Sequence, residues 1–215
     1  MHKVLPYLVV DVLSGMSKWL NNIELVGEKV KSNPLNTSHA NDLVNAASDG
    51  ELWNLKVTSV ASKDTIEAYI NFALSEQKAN RALPFVVIDQ KTNTIIGSTR
   101  YCNAAPDHRR LEIGYTWYSK SYQRTGVNTE CKYLLLKHAF ETLDAIAVEF
   151  RTNLHNFSSR KAIERIGAKQ DGILRNHIIN PDGSLRDSVV FSITNQEWES
   201  VKQSLEYKIN KYRKA

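Results

Sequence analysis

The segment from Leu111 to Leu143 restricts the fold more than any other part of this 215-residue chain. Leu111-Glu112-Ile113-Gly114-Tyr115-Thr116-Trp117-Tyr118 alternates with period two. Glu112, Gly114 and Thr116 are therefore expected on one face of a strand, with Ile113, Tyr115 and Trp117 on the other. A glycine-bearing loop follows, after which Val127, Cys131, Leu135, Ala139 and Leu143 recur at every fourth position, the spacing of one helix face. Between the two elements lies Gln123-Arg124-Thr125-Gly126-Val127-Asn128, where backbone N–H groups and the positive end of the helix dipole converge on an anion. This loop has neither the Gly-Lys-Ser/Thr ending of a P-loop nor a Rossmann fingerprint.

The flanking pattern is mixed α/β. Ile23 to Val30 reads as a strand closed by Asn33-Pro34, and a helix capped by Ser38 carries Leu43, Val44, Ala46 and Ala47 up to Asp49-Gly50. Asp64 and Glu67 form a capping-box variant ahead of Ile66, Ile70, Ala73 and Leu74. Phe85 to Ile88 and Ile95 to Tyr101 make a hairpin, and Ala145 to Arg151 is a further strand. A short helix runs from Asn156 to Ile166 and stops at Gly167. Strands at Ile173 to Ile179 and Leu185 to Ile193 flank the turn Asn180-Pro181-Asp182-Gly183. Thr194 and Glu197 cap a last helix that buries Trp198, Val201, Leu205, Ile209 and Tyr212. No repeat or long linker interrupts this order, so one domain is expected over residues 16–215. Residues 1–15 read as an upstream extension, with Met16 as the natural start. Their apolar run is broken by Asp11, lacks a clean cleavage site, and falls far short of the roughly 20 residues of a membrane span.

Charge is placed unevenly. Up to residue 108 there are 10 Lys/Arg and 11 Asp/Glu, and from residue 109 onward there are 18 and 12, so the second half should face an anion. No long run of like charge occurs, and a compact phosphate-bearing ligand competes well with DNA or RNA as the explanation of the bias. Two cysteines, Cys102 and Cys131, are too few for a disulfide scaffold or a zinc site and fit a reducing, cytoplasmic compartment. Both are expected in the core.

From about Ile23 to Tyr212 the chain resembles the N-acetyltransferases of the GNAT superfamily, in their RimJ/RimL-like branch. Three segments carry the resemblance: Leu111 to Trp117, Gln123 to Glu130, and Asn156-Phe157-Ser158-Ser159-Arg160-Lys161-Ala162-Ile163-Glu164-Arg165-Ile166-Gly167-Ala168. It implies a single α/β (α+β) domain with a central mixed, splayed sheet flanked by helices, and acetyl-CoA in the gap. It also implies pyrophosphate binding by Gln123, Arg124, Thr125, Gly126, Val127, Asn128 and Thr129. Asn128 stands where the family has a small residue. Asn156 matches the residue that hydrogen-bonds the pantetheine arm, and Ser159 matches a serine near the thioester sulfur. Ile163 replaces the general-acid tyrosine of many members, and Ile178 stands where RimL-type enzymes carry a second glutamate.

The reaction implied is acetyl transfer to a primary amine by direct attack through a tetrahedral oxyanion. Backbone N–H groups of Ile113, Gly114 and Tyr115 are the expected cofactor contacts and oxyanion donors. The leaving thiol has a pKa of about 8.5, so the missing tyrosine is not fatal, and Ser159 can relay a proton. Glu112 is the first choice of base, its alternative reading being a solvated carboxylate or an ion-pair partner of Arg109 or Arg110. His177 has a suitable intrinsic pKa but also fits a structural role. The acceptor is a protein N-terminus or a small-molecule amine, no metal is expected, and a homodimer stays open. A non-catalytic acyl-CoA-binding module is the alternative, supported by the missing tyrosine and glutamate.

Overall fold

A computed structural model describes residues 18–55, 58–180 and 182–213. The proposed extension at residues 1–15, the start at Met16, Pro181 and the side chain of Tyr212 lie outside the described residues. The chain begins with a small hairpin, β1 (Leu25–Val26) and β2 (Val30–Pro34), followed by α1 (Ala40–Ser48) and α2 (Ile66–Lys78). Next come β3 (Leu83–Asp89), β4 (Thr94–Ala105) and β5 (Arg110–Tyr118), then α3 (Val127–Glu141) and β6 (Ala147–Asn153). Finally α4 (Phe157–Arg165), β7 (Lys169–Ile179), β8 (Leu185–Thr194) and α5 (Trp198–Arg213) close the fold.

The strands form one mixed sheet in the order β1-β2-β3-β4-β5-β6-β8-β7. All neighbours are antiparallel except β5 and β6, which run parallel and pair only at Arg110 with Ala147, Leu111 with Val148 and Glu112 with Glu149. Both strands continue past these pairs without a mutual partner, so the sheet opens between them.

Alternation along the strands supplies two cores. Tyr101, Leu111, Ile113, Val148, Phe150 and Phe191 join Cys131, Leu135, Leu136 and Ala139 of α3 and Leu205 of α5. On the opposite side, Val86, Ile88 and Trp117 pack under Leu43, Ala46 and Ala47 of α1 and Ile66, Ile70 and Ala73 of α2. Each large apolar side chain fully buried in this way contributes roughly 1.5–3 kcal/mol.

Several local expectations are corrected. Ile23 to Val30 is not one strand: the chain turns between Val26 and Val30, where the Gly27 N–H bonds the Val30 carbonyl at 2.8 Å. Asn36, not Ser38, caps the turn before α1, its side chain accepting the Ser38 N–H at 2.9 Å. At α2 the box of Asp64 and Glu67 does not form, and the Ser62 N–H donates instead to Thr65 Oγ1 at 2.9 Å. Thr194 and Glu197 do pair before α5, with the Thr194 N–H and hydroxyl both donating to the carboxylate at 3.0 Å.

The largest departure is in β5. Arg100 faces Gly114 while Ser98 faces Trp117, so β5 carries one extra residue, and Tyr115 there has φ +52°. A bulge of one residue exchanges the faces of everything beyond it. Trp117 accordingly joins the core under α1 and α2, and Thr116 turns toward α3, where its hydroxyl receives the Lys132 ammonium at 2.5 Å.

Candidate active site

The site forms where β5 and β6 part. The Glu112 side chain is buried there beside Glu149, its register partner on β6. Burial raises the Glu112 carboxyl above the usual carboxylate range, opposed by the hydrogen bond from Asn103 and the charges of Arg151 and Arg186. Asn103 Nδ2 donates to Glu112 Oε2 at 2.8 Å, and Arg151 Nε lies 3.6 Å from the same oxygen. The anticipated ion pairs with Arg109 or Arg110 do not form, because Arg109 binds Asp144 and Arg110 binds Glu149. Asn103, Arg110, Glu112, Glu149 and Arg151 line a cavity of about 150 Å³.

Gly114 brings the backbone close to this carboxylate. A Cβ there would sit 3.2 Å from Glu112 Oε1 and 3.1 Å from Cys102 Sγ, so glycine leaves the approach open. Ile113 is buried, Gly114 half-buried and Tyr115 exposed along the stretch of β5 that has left β6. Their backbone therefore borders the gap.

The loop that precedes α3 meets the gap from the same strand. Gly126 occupies the N-cap with φ +93°, a conformation that only glycine adopts without strain, and no side chain caps the helix. The first N–H groups of α3 are thus available to an anion. The loop is braced from within: Gln123 Nε2 donates to the Tyr118 carbonyl at 3.0 Å and the Thr125 hydroxyl to that of Tyr122 at 2.6 Å. Arg124 and Thr125 are exposed, Val127 and Thr129 are buried, and Asn128 is half-buried. Thr129 accepts a hydrogen bond from Arg165 Nη1 of α4 at 2.9 Å.

On the other side of the gap, Asn156 caps α4, its side-chain oxygen accepting the Ser159 N–H at 3.0 Å. Capping occupies that oxygen and leaves the amide N–H groups of Asn156 for a ligand. Ser159 sits in the first turn of α4, half-buried, and Ile163 packs in the core. His177 lies on the edge strand β7, with Nδ1 3.0 Å from Ser188 Oγ, two strands beyond β6 from Glu112. Cys102 and Cys131 are buried, and burial pushes the Cys102 thiol far up, which keeps it from acting as a nucleophile.

Four charged side chains of this region escaped the sequence reading. Glu149 and Arg151 alternate on a strand whose neighbours only the topology assigns. Arg100 and Lys132 are each buried with no acidic partner within hydrogen-bond distance among the described residues, and Lys132 Nζ donates to Thr99 at 3.2 Å and to Thr116. A charge within an expected strand or helix was the available signal.

An open parallel seam, an uncapped glycine-started helix and a second helix start across the gap fit a long polyanionic thioester such as acetyl-CoA. Among the described residues no helix is long and apolar enough to cross a membrane, and no cluster of His, Cys, Asp or Glu could hold a metal.

Relatives agree with this geometry. A Bacillus subtilis protein named "Putative ribosomal N-acetyltransferase YdaF" is 34% identical over 95 residues, covering 44% of this chain and 51% of that protein. The chain thus spans about half the length of that curated relative. The crystal structure of a GCN5-related N-acetyltransferase from Brucella melitensis superposes with a TM-score of 0.79 at 26% identity, covering 89% of this chain and 87% of the other. Mycobacterium smegmatis RimJ, solved in complex with a CoA-disulfide, has the same fold at 21% identity, with a TM-score of 0.70 over 83% of this chain and 88% of its own. Residues 32–169 match the Acetyltransferase (GNAT) domain, and the chain belongs to the GNAT acetyltransferase family, whose co-substrate is acetyl-CoA.

Proposed function

We propose that this protein transfers the acetyl group of acetyl-CoA to a primary amine, with Glu112 as the base. The observation that carries the reading is the buried Glu112 carboxylate at the mouth of the β5–β6 gap. An α-amino group has a pKa of about 8, so at neutral pH the base must take a proton before the nitrogen can attack. Glu112 suits this because burial raises its proton affinity above that of a free carboxylate while Asn103 keeps one oxygen oriented. Charge developing on the thioester oxygen faces the backbone N–H groups of the bulged stretch from Ile113 to Tyr115.

In this reading Gln123 to Thr129 and the start of α3 hold the pyrophosphate, the Asn156 amide holds the pantetheine arm, and the Ser159 hydroxyl donates to the leaving sulfur. His177 is kept as a second proton acceptor for the amine. The name of the Bacillus subtilis relative favours a protein N-terminus over a small amine as acceptor. Thiol release from acetyl-CoA with a panel of amines and peptides tests the reading. E112Q should lower turnover about 100-fold with acetyl-CoA affinity unchanged. CoA binding without thiol release from any acceptor would instead support a binding module.

A further inference from the structure

Arg100 is 1% exposed, yet Nε, Nη1 and Nη2 all lack a hydrogen-bond partner among the described residues. Buried polar groups are ordinarily satisfied, and an unpaired buried guanidinium is among the costliest exceptions. Its position is also distinctive. Arg100 lies opposite Gly114 and Cys102 opposite Glu112, so the guanidinium and the candidate base share one face of the sheet as diagonal neighbours.

Two aromatic rings hold the guanidinium. Its central carbon is 3.9 Å from the ring centre of Tyr115 and 5.0 Å from that of Tyr69 on α2. Rings on the π faces of a guanidinium stabilise its charge but leave the N–H donors in its plane unused. The nearby carboxylate of Glu76 is committed to Arg81 through hydrogen bonds of 2.6 and 3.0 Å. Tyr115 is also the outer cover: it is 37% exposed, holds φ +52°, and leans on the exposed ring of Phe72 at 6.5 Å. In the proposal that follows, displacement of this one side chain opens a path from the cleft to the guanidinium. Strain retained at a surface residue that shields an unpaired charge is what a ligand-operated cover requires.

We propose that Arg100 receives a carboxylate carried by the acceptor, so that preferred acceptors are amines with a carboxylate a few atoms from the nitrogen. The proposal rests on the amine acetyltransferase reading above. A planar carboxylate matches the in-plane N–H fork in bidentate fashion. A phosphate dianion would meet Glu112 and Glu149 on the same side of the seam, whereas a zwitterion brings its ammonium to Glu112 and its carboxylate to Arg100. Two sources share this chemistry: a free amino acid, and a peptide whose first residue is acidic.

Calorimetric titration of the CoA-loaded protein separates them. One arm compares a tetrapeptide beginning with Asp against its Asn counterpart; the other compares free aspartate with its diamide. In at least one arm the acid should bind about tenfold more tightly than the amide, and the arm that shows the gap identifies the source. R100M, close in volume and without charge, should close the gap while its melting temperature holds or rises, since an uncompensated buried charge has been removed. If R100M does not fold, R100K, which keeps the charge but loses the planar fork, should shrink the gap at least threefold. Equal affinities in both arms, or a gap unaltered by the folded variant, overturns the proposal. An acid preference without thiol release refutes the transferase reading alone, and thiol release without acid preference refutes the role of Arg100 alone.

Discussion

Glu130 and Glu112 are two buried carboxylates in opposite circumstances. Glu130, in the first turn of α3, accepts the backbone N–H groups of Glu28, Lys29 and Val30 at 3.0, 2.8 and 2.9 Å. Gly27 makes room for it, since a Cβ there would lie 2.8 Å from Glu130 Cδ. Glu112 is nearly as buried, yet receives one hydrogen bond, from Asn103, with Arg151 at 3.6 Å. A carboxylate that accepts three backbone donors is fixed in place by them and has little acceptor capacity left for a ligand. One left under-satisfied in the same low dielectric has a raised proton affinity and an unused oxygen. Burial is common to both; the supply of donors is what differs.

The contrast can be broken at either side. E130A should have the largest effect, removing about 3 kcal/mol of stability by releasing the backbone donors of the β1–β2 turn, read by urea unfolding. E112Q should do the reverse: turnover falls about 100-fold, equivalent to about 2.7 kcal/mol of barrier, while stability at pH 7 is not reduced. Because the folded-state pKa of Glu112 is raised, its charged form penalises the fold above that pKa. The penalty disappears as pH falls toward 4.5, so the wild type gains on E112Q in unfolding free energy over that range. The acid limb of kcat/KM in the wild type should likewise lie above the ordinary carboxylate range and vanish in E112Q. G27A should press a methyl group against the Glu130 carboxylate and cost about 2 kcal/mol.

Lys132 extends the contrast to a buried cation. Desolvation lowers its pKa to about 8, and its only hydrogen-bond partners among the described residues are the Thr99 and Thr116 hydroxyls, which lie 2.8 Å from each other. K132M leaves those hydroxyls paired and should stabilise the protein by about 1–2 kcal/mol at pH 7. Below pH 8 the ammonium is charged in both folded and unfolded chains and the fold bears the penalty; above 10.5 neither is charged. Wild-type stability should therefore rise between those values while that of K132M does not. The smallest effect is N156A, which removes the cap of α4 at a cost of about 1 kcal/mol and weakens CoA binding, as equilibrium titration would detect.

The strand Leu111 to Tyr118, the glycine-started helix and the short helix ending at Gly167 were legible because each is written in a few adjacent residues with a strong local preference; that Asn156 caps the short helix was not read in advance. The turn inside Ile23 to Val30 was not, because it is clamped by Glu130, about 100 positions away in the chain. The faces of β5 followed simple alternation only up to Gly114; the bulge depends on pairing with β4, which no window of sequence contains. Arg100 was visible as a charge within a strand, but its isolation exists only after Tyr69, Tyr115 and Gly114 have been folded around it. In the site, the placement of the backbone elements was readable in advance and the side-chain electrostatics were not.

The short pairing of β5 with β6 has a mechanical consequence. Two antiparallel half-sheets, β1 to β5 and β6 with β8 and β7, are stitched at three positions. A co-substrate lying along the open seam would act as a splint between them. Binding to the folded chain alone adds about 2.7 kcal/mol when the ligand stands at 100 times its dissociation constant. Heat resistance then becomes a gauge of acetyl-CoA supply, and amide exchange along the two facing strands should slow in proportion to how much of the seam the splint covers.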